Sequence, residues 1–182
     1  MSTASKLTLI LGGARSGKSS HAQTLAEETG KPVTFLATAQ ALDEEMSARI
    51  QKHQAERPAG WQTMEIPCDI ASHSGQIRSD VVILDCITLL VSNLLMQFVK
   101  EDRVDESPFM QAVQKEIEGL IETIHSQERE WFIISNEVGL GLVPPYPMGR
   151  VYRDALGWAN QRLAREAEQV LFLVAGIPMK VK

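Results

Sequence analysis

The stretch Leu7-Thr8-Leu9-Ile10-Leu11-Gly12-Gly13-Ala14-Arg15-Ser16-Gly17-Lys18-Ser19 decides the fold. Leu7–Leu11 is a short, almost wholly apolar run, as expected of a strand covered on both faces. It passes directly into Gly12–Ser19, which satisfies G-x-x-x-x-G-K-[ST], and a segment of helical period follows. The glycines let backbone N–H groups turn inward around phosphate oxygens, and the helix start adds the positive end of its dipole. Lys18 offers a point charge to the β- and γ-phosphates, and the Ser19 hydroxyl suits Mg2+. A glycine-rich turn with a chance Lys-Ser is the plainer reading, but the strand before it and the helix after it argue against that. The chain is expected to bind a nucleoside triphosphate.

Outward from this loop, strands are expected at Val33–Leu36, Val81–Leu84, Trp131–Ser135 and Val170–Val174, with weaker ones at Met64–Ile66 and Met179–Val181. Helices are expected at Lys18–Glu28, Asp43–Glu56, Thr88–Val99, Pro108–Ser126 and Arg150–Glu168. The fourth carries Met110, Val113, Ile117, Leu120, Ile121 and Ile124 at spacings of three and four, a stripe suited to lie on a sheet. Lys100–Ser107 reads as a solvated loop, and Gly139–Gly149 as an irregular active-site or interface loop. Alternation of this kind implies α/β architecture: an open, mainly parallel sheet with helices on both faces, the RecA-like arrangement of P-loop NTPases.

The 182 residues carry 44% hydrophobic and 23% charged side chains and a formal net charge of −5, which excludes a disordered chain and a coiled coil. One nucleotide-binding catalytic domain over residues 1–182, with no linker or repeat, is the expected organisation. Two cysteines, Cys68 and Cys86, are too few for a disulfide framework and lack metal spacing. The acidic balance argues against nucleic acid as a partner, and no apolar run reaches the roughly 20 residues of a membrane span. The short run Leu7–Leu11 after one early lysine is too brief for a signal segment, so a cytoplasmic protein is expected.

Val81-Val82-Ile83-Leu84-Asp85 places a carboxylate at the end of a hydrophobic strand, where Mg2+ beside a phosphate loop finds its second protein contact. Asp85 capping the helix that follows is the alternative. The guanine-reading N-K-x-D of GTPase switches is absent, which turns the reading toward small-molecule phosphoryl transfer. Arg49, His53 and Arg57 stand at i, i+4 and i+8 of one helix and so share a face. Two guanidinium groups around an imidazole favour its neutral, nucleophilic form and suit triphosphate oxygens. A solvated histidine on a charged helix is the bland alternative.

The chain resembles the bifunctional adenosylcobinamide kinase/adenosylcobinamide-phosphate guanylyltransferase family of cobalamin biosynthesis, almost end to end. Besides Gly12–Ser19, the resemblance rests on Ala37-Thr38-Ala39, Asp43-x-Glu45-Met46-x-x-Arg49-Ile50-x-x-His53-x-x-x-Arg57-Pro58-x-x-Trp61, Asp85-Cys86-Ile87-Thr88 and Ser92-Asn93-Leu94-Leu95. It continues through Ser135-Asn136-Glu137-Val138-Gly139-x-Gly141-x-Val143-Pro144, Tyr152-Arg153-Asp154 and Asn160-Gln161-x-Leu163-Ala164. Pro145-Tyr146 departs from it, where an acidic-polar pair is expected.

The resemblance implies two reactions. ATP or GTP phosphorylates the aminopropanol hydroxyl of adenosylcobinamide. GTP then transfers GMP to a histidine, matching His53, and the GMP passes to adenosylcobinamide phosphate to give adenosylcobinamide-GDP. It further implies that Thr38, Ala39, Gln40, Gln54, Ala55, Glu56, Arg57, Glu65 and Asp85 border the GTP site, together with Gly12, Gly13, Ala14, Arg15, Ser16, Gly17, Lys18 and Ser19. Ser19 and Asp85 are the expected metal contacts, His53 and Lys18 the catalytic pair, and a homo-oligomer, a trimer, the expected assembly. Glu137 is either a base for the substrate hydroxyl, an orienter of magnesium, or a loop-capping carboxylate. Arg153 and Asp154 either pair on the surface or line the corrinoid cleft. Two rival functions are a single-activity small-molecule kinase and a GTP-responsive binding module without turnover.

Overall fold

A seven-stranded sheet runs in the order β3-β2-β4-β7-β1-β8-β9, parallel throughout except for β9, which pairs antiparallel with β8. The computed structural model describes residues 6–41, 44–55, 57–101 and 103–182. In chain order the main elements are β1 (Lys6–Gly12), α1 (Lys18–Glu28), β2 (Val33–Ala37), α2 (Glu44–Ala55), β3 (Gln62–Glu65), α3 (Ile70–His73), β4 (Val81–Asp85) and α4 (Ile87–Met96). A small hairpin of β5 (Val99–Lys100) and β6 (Arg103–Val104) leads into α5 (Glu106–Ser126). Then come β7 (Glu130–Ile134), α6 (Pro147–Glu166), β8 (Gln169–Val174) and β9 (Ile177–Lys180).

Successive strand residues point to opposite faces, and here both faces are apolar because both are covered. Leu9, Leu84, Trp131 and Ile133 face α4, α5 and α6 in the larger core. Ile10, Ile83, Phe132 and Ile134 face the opposite way, toward Ala22 and Ala26 of α1. Small alanines there let α1 lie close to the sheet, which brings its N-terminus to the C-terminal ends of β1 and β4. Trp131 is fully buried and its indole N–H has no hydrogen-bond partner. Such an orphan costs about 1–3 kcal/mol, which the large apolar area of the ring offsets.

Helices α5 and α6 are tied by Arg162, whose Nε and Nη2 donate to the two carboxylate oxygens of Glu118 at 2.7 and 2.9 Å. Arg162 also pairs with Glu166 one turn along, and these hydrogen bonds hold its guanidinium firmly charged. Arg129 donates to the carbonyls of Ser79 and Ile77, both at 2.9 Å, and fastens the approach to β4.

The expected strands and helices form, with shifts at their ends. The region Lys100–Ser107, expected as a loop, holds half of a short hairpin and the start of α5. Helix α6 begins at Pro147 rather than Arg150, with proline in its first turn where no N–H is needed. Helix α4 stops at Met96, and Gln97 caps it by donating to the Leu94 carbonyl. Strand β3 lies two residues earlier than expected at its start, because its pairing with β2 sets the register from Thr34↔Gln62. The one-turn helix α3 was not expected; Glu116 of α5 makes it possible by accepting the Asp69 and Ile70 N–H groups at 2.9 and 3.0 Å.

Candidate active site

The phosphate loop connects β1 to α1 through backbone angles that side chains rarely take. Gly12 has φ +152°, and a Cβ added there would lie 2.7 Å from both the Leu173 carbonyl oxygen and Ser16 Oγ. Gly17 has φ +92°, and its added Cβ would lie 3.3 Å from Gly176 Cα. The close neighbour is the β8–β9 turn, whose Gly176 N–H donates to the Ser16 carbonyl at 3.0 Å. The C-terminal hairpin therefore buttresses the loop, a role that no local signal in the loop reveals.

Lys18 is buried and its Nζ donates to the Gly13 carbonyl at 2.5 Å, curling over its own loop. Burial lowers its pKa, against the opposing pull of the Asp85 charge. Ser19 Oγ donates to Asp85 Oδ2 at 2.7 Å. The two oxygens come from the first turn of α1 and the last residue of β4, brought side by side by the parallel sheet. Asp85 does not cap α4: Cys86 stands at the cap position and no side-chain cap bond forms. Among the expected site residues, Gly12–Ser19, Thr38 and Asp85 converge at the C-terminal ends of the interior strands β1, β2 and β4.

Behind Asp85, the buried Thr38 hydroxyl bonds Cys86, and Asn93 Nδ2 donates to the Thr38 and Pro67 carbonyls at 2.8 and 3.0 Å. The Asp85–Cys86 peptide is cis. The Cys86 thiol is pushed up to about 12, first by burial and then by the Asp85 charge, so it stays neutral.

A second group lies along β3. Gln54 Nε2 donates to Glu65 Oε1 at 3.0 Å, and Arg57 Nη1 to Thr63 Oγ1 at 3.4 Å. The Arg57 guanidinium stacks over the Phe35 ring, 3.7 Å from its centroid. Burial lowers its pKa, while the charges of Asp85 and Glu65 act in the opposite direction. Along the sequence Phe35 reads only as an apolar core residue of its strand. Ala39 is half-buried, whereas Gln40 and Ala55 are exposed. Glu56, and the side chains of Arg49 and His53, lie outside the described residues; the backbone of His53 is in α2.

Glu137 follows β7. Its N–H donates to the Gly12 carbonyl at 3.1 Å, and its Oε1 accepts the Gly139 N–H at 2.6 Å. The loop-capping contact therefore exists, at the rim of the phosphate loop. Arg153 and Asp154 form an ion pair at 3.5 Å, with Asp154 largely exposed.

Ser19 and Asp85 offer adjacent hard oxygens, a donor set that fits Mg2+. With Lys18 and the loop N–H groups, the arrangement suits a polyphosphate whose charge is neutralised from several sides.

A family model described as cobinamide kinase / cobinamide phosphate guanyltransferase matches residues 8–181. A Pseudomonas aeruginosa protein named bifunctional adenosylcobalamin biosynthesis protein CobP is 42% identical over 179 residues, covering 96% of each chain. An Escherichia coli relative, named bifunctional adenosylcobalamin biosynthesis protein CobU, is 39% identical over 181 residues, covering 97% of this chain and 99% of its own. Among solved structures, flagellar accessory protein FlaH from Methanocaldococcus jannaschii aligns with TM-score 0.51 at 17% identity, covering 98% of this chain and 79% of its own. The RadB recombinase aligns with TM-score 0.51 at 13% identity, covering 93% and 74%. Those two likenesses bear on the fold alone, the open, mainly parallel RecA-like sheet with helices on both faces.

Proposed function

Because the chain belongs to the cobinamide kinase / cobinamide phosphate guanyltransferase family, we propose that its single phosphate loop serves both reactions, with Lys18, Ser19 and Asp85 on the nucleotide and His53 as the covalent carrier of GMP. An enzyme of this family acts on cobinamide and cobinamide phosphate, with nucleotide as the second substrate. The observation that supports the shared site most directly is the 2.7 Å contact from Ser19 to Asp85 beside the buried Lys18. Mg2+ held by that pair would neutralise phosphate oxygens and orient the leaving group.

In the kinase step, the substrate hydroxyl oxygen bonds the γ-phosphorus of ATP or GTP, and the bond to the β–γ bridging oxygen breaks. The nucleoside diphosphate leaves with that electron pair, Lys18 stabilising the charge, and Glu137 accepts the hydroxyl proton. Its place beside Gly12 supports that role. In the transferase, a His53 ring nitrogen bonds the α-phosphorus of GTP and pyrophosphate leaves. A phosphate oxygen of adenosylcobinamide phosphate then attacks the same phosphorus, the P–N bond breaks, and adenosylcobinamide-GDP departs. Arg57, Gln54, Glu65 and the Thr38–Gln40 segment border the GTP. Residues 1–182 act as one catalytic domain.

The enzyme works in the cytoplasm as a homotrimer. No described helix is long and apolar enough to cross a membrane. Leu140, Leu142, Val143 and Tyr146, all exposed in the loop before α6, favour self-association.

Labelling with α-32P-GTP and Mg2+, followed by denaturation, tests the covalent step. An acid-labile, alkali-stable label in the wild type, absent from His53→Ala and discharged by adenosylcobinamide phosphate, is expected. A label that persists in His53→Ala would remove His53 from the chemistry.

A further inference from the structure

The Asn136 peptide, one residue before Glu137, is held on both sides by side chains from two helices. Its N–H donates to Thr88 Oγ1 of α4 at 2.8 Å, and its carbonyl accepts Asn160 Nδ2 of α6 at 3.0 Å. The Tyr152 hydroxyl, also on α6, donates to the Thr88 carbonyl at 3.0 Å and fastens the two helices together. Alternate residues of a parallel strand bond to opposite neighbours. Ser135 and Glu137 accordingly donate to the Ile10 and Gly12 carbonyls on the β1 side, at 3.0 and 3.1 Å. Asn136 needs partners on the β4 side, but β4 has ended at Asp85 and the chain has turned into α4. Thr88 and Asn160 stand in for the missing strand.

The arrangement leaves two buried polar atoms unpaired. Ser135 Oγ and Asn160 Oδ1 are buried with no hydrogen-bond partner, in residues 0% and 5% exposed. Alanine at Ser135 would avoid one orphan, while Asn160 satisfies the Asn136 carbonyl only by leaving its own Oδ1 unpaired; polar residues kept at that cost point to a task other than packing. The nearest chemistry is Glu137, whose N–H rests on the first residue of the phosphate loop.

We propose that Thr88, Tyr152 and Asn160 are positioning residues for the kinase step: through the Asn136 peptide they hold Glu137 where its carboxylate meets the attacking hydroxyl of cobinamide. The proposal rests on Glu137 being the proton acceptor in the reaction described above. Displacing a reacting group by a fraction of an ångström lowers turnover without weakening nucleotide binding.

The test is kinase turnover with cobinamide and ATP for Asn160→Leu, Thr88→Val and Thr88→Ser, each also made in a Glu137→Gln background, with urea midpoints and KM for ATP measured alongside. Asn160→Leu and Thr88→Val are expected to lower kcat by roughly 10- to 100-fold, with KM for ATP within about twofold of wild type. Asn160→Leu should lower the urea midpoint only modestly, because it removes the Oδ1 orphan but leaves the Asn136 carbonyl without its partner. Thr88→Ser, which retains the hydroxyl, should restore most of the rate. In Glu137→Gln, the same substitutions should have little further effect. Glu137→Gln with wild-type kcat would overturn the base assignment itself. An Asn160→Leu penalty of equal size with and without Glu137, or identical rates for Thr88→Val and Thr88→Ser, would overturn the positioning role alone.

Discussion

Thr38 and Cys86 exchange two hydrogen bonds through a single hydroxyl: Thr38 Oγ1 donates to the Cys86 carbonyl and accepts the Cys86 N–H, both at 2.8 Å. The Thr38 N–H also donates to the Asp85 carbonyl at 3.0 Å. The ends of β2 and β4 are thereby locked where Asp85 faces the phosphate loop. Thr38→Val keeps the shape but strands two buried backbone groups, and should cost about 2 kcal/mol. Thr38→Ser should cost less than half as much. Urea unfolding of the two variants measures the difference, and equal midpoints would show that the hydroxyl contributes nothing.

Ser19 and Asp85 act on one charge centre, so their substitutions should not add. Ser19→Ala and Asp85→Asn are each expected to lower phosphoryl-transfer kcat by about 100-fold, and the double variant by little more than either. Steady-state rates at saturating Mg2+ close the cycle; a product of the two single effects would mean that the residues work apart.

Lys18 links function to pH-dependent stability. Burial lowers its folded-state pKa below the ordinary lysine value of 10.5. In that interval the unfolded chain binds more protons than the folded one, so this group's contribution to stability rises as pH increases through the folded pKa toward 10.5. Lys18→Met should abolish this rise, stabilise the nucleotide-free protein near neutral pH, and eliminate turnover. Thermal unfolding of both proteins between pH 7 and pH 10 provides the comparison; parallel curves would show that the lysine is not penalised by burial.

Gly12→Ala should unfold or misplace the loop, since the added methyl meets the Leu173 carbonyl oxygen and Ser16 Oγ at 2.7 Å. A loss of about 2–3 kcal/mol is expected from the strain and overpacking combined. At Gly13, where an added Cβ meets nothing within 4 Å, alanine should be tolerated in stability. Circular dichroism melts of the pair decide whether close contact, rather than glycine content, governs the loop.

Arg162 bridges α5 and α6 from a partly exposed position, so its contribution is modest. Arg162→Met should cost about 1 kcal/mol. Its hydrogen bond lowers the Glu166 pKa below 4.5, which adds stability above the unfolded value that is lost as pH falls through the folded one. The variant should therefore show a flatter acid limb in urea midpoints between pH 3 and pH 6, and an unchanged limb would count against the pair.

What was legible in the sequence is what nearest neighbours decide. The apolar run Leu7–Leu11, the glycines of Gly12–Ser19 and the 3.6-residue stripe of α5 each carry their structural preference within a few residues. Strand-end Asp85 was legible for the same reason, because a carboxylate closing an apolar run stands out locally. Tertiary structure alone decided the rest. The strand order brings Ser19 against Asp85 across 66 positions, sets Gly176 under the phosphate loop, and turns Thr88 and Asn160 into substitutes for an absent strand at Asn136. Phe35 beneath Arg57 and Glu116 at the start of α3 belong to the same class. These residues look ordinary along the chain because their roles depend on partners tens of positions away. Only packing both faces of one sheet against helices determines which distant groups meet.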